Sequence, residues 1–257
     1  MKDDLTIIPF LKLLAFDSAK IINPMFADPD LQVEWKEDDT PVTYADRKAE
    51  EVMRELISME YPDHGIIGEE FESTNPDAEY TWVLDPIDGT RAYASGSPHF
   101  GTLICLRKNG LPIWGAIHIS ALGKLYIGNN ESCLCNDRPV SLKPPPPLQN
   151  CFLLTTDPKS PSQLHSAAGW NALLNATDQF RSWGDCFGYT MLISGGAHIM
   201  TDPILNIWDI AALLPVLKGA GVAVSDWNGN TPDGDKGLVA AHPEIHGDVI
   251  RLLNPVD

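Results

Sequence analysis

The sequence predicts an α+β protein, and three observations carry that prediction. Residues 100–129 hold three apolar runs, "FGTLICL", "PIWGAIHI" and "KLYIGN", with short turns between them, the pattern of an antiparallel meander. Residues 151–253 instead alternate strand-like and helix-like stretches, the pattern of an α/β layer. Between them "SLKPPPPLQN", residues 141–150, contains four consecutive prolines, which neither a helix interior nor a central strand accommodates. The boundary between an N-terminal part, 1–146, and a C-terminal part, 147–257, falls there.

The first helix spans about 4–26. Leu5, Ile8, Leu11, Ala15, Ala19 and Ile22 recur at helical spacing, and Pro24 ends it. A second helix covers 43–60, with Ala49, Val52, Met53, Leu56 and Ile57 in one stripe. Thr43 and Asp46 form a capping-box pattern at its start. "GIIGEE" and "YTWVLD" read as strands before the meander. Beyond the prolines, strands are expected at "CFLLTT", "QFRSW", "AHIMTD", "GVAVSD" and "GLVAA". Helices are expected at 161–174, 186–195, 209–219 and 243–253.

A chain of 257 residues, 44% hydrophobic and 21% charged, has enough core to fold without cross-links. Five cysteines are too few and odd in number for a disulfide framework, so reduced thiols are expected. The seven histidines form no metal-binding spacing. No uncharged apolar stretch is long enough for a membrane span. The N-terminus lacks a signal peptide's unbroken apolar core, so a cytoplasmic location is expected. A net charge of −17 disfavours nucleic acid as a partner. It would also repel a phosphorylated substrate unless a cation intervened.

"WVLDPIDGT", residues 82–90, supplies a place for such a cation. An apolar strand runs into Asp85, and Pro86 fixes a turn that lets Asp85 and Asp88 converge. Two adjoining carboxylates stay ionised only with a cation between them. An all-oxygen donor set with no Cys or His cluster suits Mg²⁺. The Ile87 carbonyl is a further candidate ligand. Gly89 and Thr90 follow, where free backbone N–H groups opening a helix make an anion site. Read without that context, Asp85 would merely start a turn and Asp88 cap a helix. Glu69, in "IIGEE", and Asp209, in "NIWDIAALLP", are acids at the ends of apolar runs. Asp209 alone would read as a helix N-cap.

"GEE", "WVLDPIDGT" and "WDIAALLPVLKGAG" together resemble the signatures of the inositol monophosphatase superfamily, the lithium-sensitive Mg²⁺-dependent phosphatases. They occur in the family's order and span nearly the whole chain. The resemblance implies a layered αβαβα sandwich and a homodimer acting on a small phosphorylated metabolite. It implies two or three Mg²⁺ ions, with Mn²⁺ as a substitute, held by Glu69, Asp85, the Ile87 carbonyl, Asp88 and Asp209. Glu69 and Thr90 match the positions that orient the attacking water, and Gly89 and Thr90 match the phosphate cradle.

Within the superfamily, "SGSPHFGTLICL", "WGDCFGY" and "MTDPILNIWDIAALLPV" look like the histidinol-phosphate phosphatase branch. Asp185 and Asp202 then face the organic half of the substrate, where carboxylates can receive an ammonium or an imidazole. As an alternative, Asp185 caps the helix that follows it. Gly196 stands where that branch often has an arginine. "WKEDDTPVTYAD" resembles the segment that supports catalysis and a third metal, with Asp38 or Asp39 as the acid partner of Thr90. Alternative substrates are inositol 1-phosphate, a 3′(2′),5′-bisphosphate nucleotide or a sugar bisphosphate. A catalytically silent phosphometabolite-binding protein is the non-enzymatic reading, and the intact acid set argues against it.

Overall fold

Strands buried on both faces need no polar alternation. The runs at 82–84 and 103–106 have that character. The computed structural model, which describes residues 4–28, 30, 33–35, 41–232 and 236–255, places both runs inside a seven-stranded sheet. The chain begins with α1 (Asp4–Met25), a short antiparallel pair β1 (Val33–Trp35) and β2 (Pro41–Thr43), and α2 (Tyr44–Glu60). Thr43 is the N-cap of α2, and the capping box with Asp46 forms as the sequence predicts.

The larger sheet follows in chain order: β3 (Gly65–Gly68), β4 (Tyr80–Asp88), β5 (Gly101–Lys108), β6 (Leu111–Ile119), β7 (Lys124–Gly128), β8 (Cys133–Cys135) and β9 (Arg138–Pro139). Only β3 and β4 run parallel; every later pair is antiparallel, as the meander predicts. A five-residue helix, α3 (Thr90–Ala94), leaves the end of β4.

Past the prolines come β10 (Phe152–Leu154), α4 (Ser160–Leu164), α5 (Ala167–Ala176), β11 (Gln179–Arg181), α6 (Asp185–Ile193) and β12 (Ile199–Asp202). Then come α7 (Ile207–Gly219), β13 (Ala223–Ser225), β14 (Leu238–Ala241) and α8 (Pro243–Leu253). Their strands form a second sheet of order β11-β10-β12-β14-β13. The single helix expected at 161–174 is two, because Ser166 caps a new start by accepting the Gly169 N–H. Strands β8 and β9 were not anticipated, being too short to show a period.

Alternation along the strands sorts the core into layers. Trp82, Leu84, Ile104 and Leu106 pack against Phe10, Leu14, Met53 and Ile57 of α1 and α2. Val83, Leu103, Cys105 and Ile117, on the opposite face, pack against α6 and α7. The same two helices meet Leu154, Met200, Leu238 and Ala240 of the smaller sheet. The outer face of that sheet, with Leu153, Ile199 and Val239, is covered by Trp170 and Leu173 of α5 and Ile245 and Val249 of α8. The stack is therefore helices, sheet, helices, sheet, helices, the expected αβαβα sandwich. Helix α7 is buried from Ile210 to Leu217 because it lies between two sheets, which is why its sequence is apolar all round.

All five cysteines are free thiols. Among the described residues, no helix is long and apolar enough to cross a membrane. Leu103 is fully buried in the middle layer. Leu103→Ala should therefore cost about 2–5 kcal/mol in urea unfolding. A loss well below that range would mean that α6 and α7 do not seal this face.

Candidate metal centre

In a regular strand, residues three apart point to opposite faces. Asp85 and Asp88 are three apart yet belong to one site. The sequence reading puts Pro86 in a turn; the strand instead continues to Asp88 with a break in its register. Asp85 pairs with Leu103 and Asp88 with Gly101, so three steps on β4 match two on β5. This β-bulge takes up the extra residue and restores a common face for the two acids. It also explains a proline inside a central strand, since the bulge removes the need for its N–H. The freed Pro86 carbonyl accepts the Thr102 hydroxyl at 2.8 Å.

Glu69 arrives through the parallel pairing of β3 with β4. Gly68 lies opposite Leu84, and the Glu69 N–H extends the ladder to the Leu84 carbonyl at 3.2 Å. That register sets Glu69 beside the start of the bulge. Asp209 comes from α7. It is not the N-cap, which is Asn206, but the third helical residue, and its carboxylate accepts the Asn206 N–H at 2.7 Å.

These groups line one cavity of about 450 Å³. Carboxylate oxygens of Asp85, Asp88 and Asp209 all lie within 4.8 Å of one another. Glu69 lines the same cavity outside that trio. Burial pushes Asp85 well above the ordinary carboxylate range, and the charge of Glu69 adds to it. Burial does the same to Asp88, with Asp185 adding. Asp209 is pushed up to about 7 by burial, against the opposing hydrogen bond from Asn206. Asp88 accepts the Cys186 N–H at 2.5 Å, but Asp85 Oδ1 is buried with no hydrogen-bond partner. Such an orphaned oxygen among crowded acids is what a cation site requires. The donors are all hard oxygens, and they fit Mg²⁺.

Gly89 caps α3 at φ 87°, a conformation that favours glycine. A Cβ there would come within 2.8 Å of the His99 carbonyl. Thr90 donates its hydroxyl to the Ile87 carbonyl at 2.9 Å. Its other neighbour is Asp46, whose Oδ1 lies 3.4 Å away. Asp38 and Asp39, the expected partners of Thr90, lie outside the described residues. In the sequence the capping box alone accounts for Asp46. One signal was available: Asp46, Ala49, Glu50, Met53 and Ile57 all fall on the buried face of α2, so two acids occupy an apolar stripe. Asp46 is pushed up to about 6 by burial, although it accepts the Thr43 N–H and hydroxyl.

Asp185 and Asp202 both line the cavity. Asp185 is the first residue of α6 and has φ 50°; the cap position is Gly184, with no side-chain cap bond, so the capping alternative does not hold. Its carboxylate lies over Gly89, since a Cβ on Gly89 would sit 3.1 Å from Asp185 Oδ2. Burial raises Asp185 to about 6, with Arg91 opposing. Asp202, 2% exposed, accepts the Thr156 N–H and the Tyr189 hydroxyl, each at 3.0 Å. Gly196 is not among the cavity's lining residues; it lies in an exposed turn beyond α6, against Met191.

Clustered acids at strand ends, beside a glycine-led helix start in an αβαβα sandwich, are the arrangement of a metal-dependent phosphatase. A model of the inositol monophosphatase family matches residues 3–256, and the chain belongs to that family. It is a metal-dependent phosphoric monoester hydrolase. The histidinol-phosphatase of Chlorobaculum parvum is 36% identical over 243 residues, covering 93% of each chain. The Nus factor SuhB of Pasteurella multocida is 30% identical, covering 88% of this chain and 87% of its own. The structure of an inositol monophosphatase from Zymomonas mobilis superposes with a TM-score of 0.86 at 31% identity, covering 98% of this chain and 99% of the other.

The raised carboxyls link stability to pH. Each titrates above its ordinary value of 3.8 in the folded chain, Asp46 at about 6 and Asp209 at about 7. The cost of burying them is least where they are protonated in both states and grows as pH rises through that window. Without metal, the melting temperature should fall between about pH 4 and pH 7. Mg²⁺ should offset the fall, because it binds the ionised form. Thermal melts with EDTA and with Mg²⁺ check this; a metal-free Tm that rises with pH contradicts it.

Proposed function

We propose that the chain hydrolyses histidinol phosphate, a phosphate monoester whose organic half is cationic. The observation that carries this reading is the charge of the cavity. Among the described residues, seven of those lining it are acids, and Arg91 is its one cation. Cations bound by Glu69, Asp85, Asp88 and Asp209 would leave Asp157, Asp185 and Asp202 over. A substrate that brings an ammonium or imidazolium gains from those acids, whereas a polyol gains no charge pairing. The relationship to the Chlorobaculum parvum histidinol-phosphatase supports the same choice. Asp185 would receive the cationic group. Asp202, with both oxygens already engaged by Thr156 and Tyr189, would hold that wall in place.

Glu69, Asp85, the Ile87 carbonyl, Asp88 and Asp209 are the proposed metal ligands. A divalent cation bound there supplies charge neutralisation for the phosphoryl group and a lowered pKa for water. The Thr90 hydroxyl has one proton and two acceptors, Ile87 and Asp46. With its proton directed at Asp46, the Thr90 oxygen would accept a hydrogen bond from water, and the water's proton would pass to Thr90 as the Thr90 proton passes to the Asp46 carboxylate. Glu69 and Thr90 then orient that water for in-line attack on phosphorus. The backbone of Gly89 and Thr90 would receive the phosphoryl oxygens, and the leaving oxygen would depart on the side of Asp88 and Asp209, taking its proton from solvent water.

Asp88→Asn should lower kcat on the order of a thousandfold with the fold retained, because it weakens the metal site itself. Thr90→Val should cost about a hundredfold in kcat and leave Mg²⁺ binding unchanged. Steady-state kinetics beside Mg²⁺ titrations separate the two; wild-type turnover in either variant removes that residue from the mechanism. Phosphate release from histidinol phosphate, inositol 1-phosphate and adenosine 3′,5′-bisphosphate at equal concentrations tests the substrate. Asp185→Asn should lower kcat/KM for histidinol phosphate about tenfold or more while sparing the other two. A wild-type preference for either alternative keeps the metal chemistry and discards the substrate.

A further inference from the structure

Asp46 has a companion on the buried face of α2. Glu50 lies one turn on and is fully buried, yet it does not line the cavity. It faces the segment that carries Glu69. Glu50 Oε2 accepts the Glu70 N–H at 2.8 Å, and Oε1 accepts Arg54 Nε at 2.7 Å. Arg54 Nη2 continues to the Phe71 carbonyl at 3.1 Å, and the guanidinium lies 5.7 Å from the centroid of the Phe71 ring. On the other side of Glu69, Gly68 makes room for the carboxylate. A Cβ there would come within 1.9 Å of Glu50 Oε1.

A buried ion pair of this kind contributes little net stability compared with apolar side chains of similar volume. What it supplies here is direction. The residue before Glu69 and the two after it are all fixed from α2, while the Glu69 N–H is held by the Leu84 carbonyl. We propose that Glu50 and Arg54 form a positioning clamp that aims the Glu69 carboxylate at the metal centre. Neither residue touches substrate or the reacting atoms; both act through Glu69. The inference rests on Glu69 being a metal ligand, as proposed above. Outer partners of metal ligands generally change metal affinity by roughly 10–100-fold.

The test uses the full chain and Mg²⁺ alone, titrated into metal-free protein and read as the rise in melting temperature. Glu50→Gln and Arg54→Met should raise the half-maximal Mg²⁺ concentration by roughly 10–100-fold. Their kcat should recover at saturating Mg²⁺. In the metal-free state, hydrogen exchange of a peptide spanning 66–72 should be faster than in the wild type. Glu69→Gln should weaken Mg²⁺ binding too, without recovery of kcat. Wild-type Mg²⁺ affinity in Glu50→Gln and Arg54→Met, with weakened binding in Glu69→Gln, overturns the clamp and keeps Glu69 as a ligand. Wild-type affinity in all three overturns both. A lower metal-free Tm with an unchanged Mg²⁺ midpoint shows a packing role alone and also overturns the clamp. Should Glu50→Gln fail to fold, Arg54→Met decides by the same criteria.

Discussion

Carboxylates drawn together out of water repel one another, and the surroundings of the cavity are organised against that repulsion. Asp85, Asp88 and Asp209 come from two parts of the chain far apart in sequence, and each is brought in by a rigid element. Backbone N–H groups of Cys186 and Asn206 brace two of them. Asp85 keeps one oxygen bare. A protein with a net charge of −17 has no general reason to gather more negative charge at one point. The arrangement is sensible only if cations complete it, and the same cations let a doubly negative phosphate approach an acidic surface.

Much of this was legible in the sequence, for reasons that differ by element. The layers could be read because burial on both faces leaves long apolar runs in β4, β5 and α7. The acids of "WVLDPIDGT" could be read because two carboxylates after such a run have no role in packing. Strands β8 and β9 could not, since two or three residues carry no period. The bulge could not either; "DPID" looks like a turn unless the partner strand is known. Asp46 was missed for a different reason. A capping box accounts for one of its oxygens, and nothing local says that the other faces Thr90 across 44 residues of chain.

The two halves of the cavity differ in what they bring. The end of β3, the end of β4 and the start of α3 supply the proposed metal ligands and phosphate cradle from before the proline segment, and α7 adds Asp209 from beyond it. Thr156, Asp157, Asp185 and Asp202 come from after it and form the wall on which a substrate's organic part would rest. Helix α7 belongs to both, since its buried length is pressed between the sheets while its first turn carries Asp209.

The bulge at the end of β4 has a consequence for what the motif can tolerate. Side chains on a strand obey parity, and the bulge that absorbs the extra residue between Asp85 and Asp88 is what gives the two acids the same parity. Were β4 to pair with β5 without the bulge and at its present length, the three-residue spacing would send Asp88 into the opposite layer. A better-formed sheet would thus be a worse enzyme. The spacing of the two acids and the bulge are matched to each other, and the proline belongs to that irregularity.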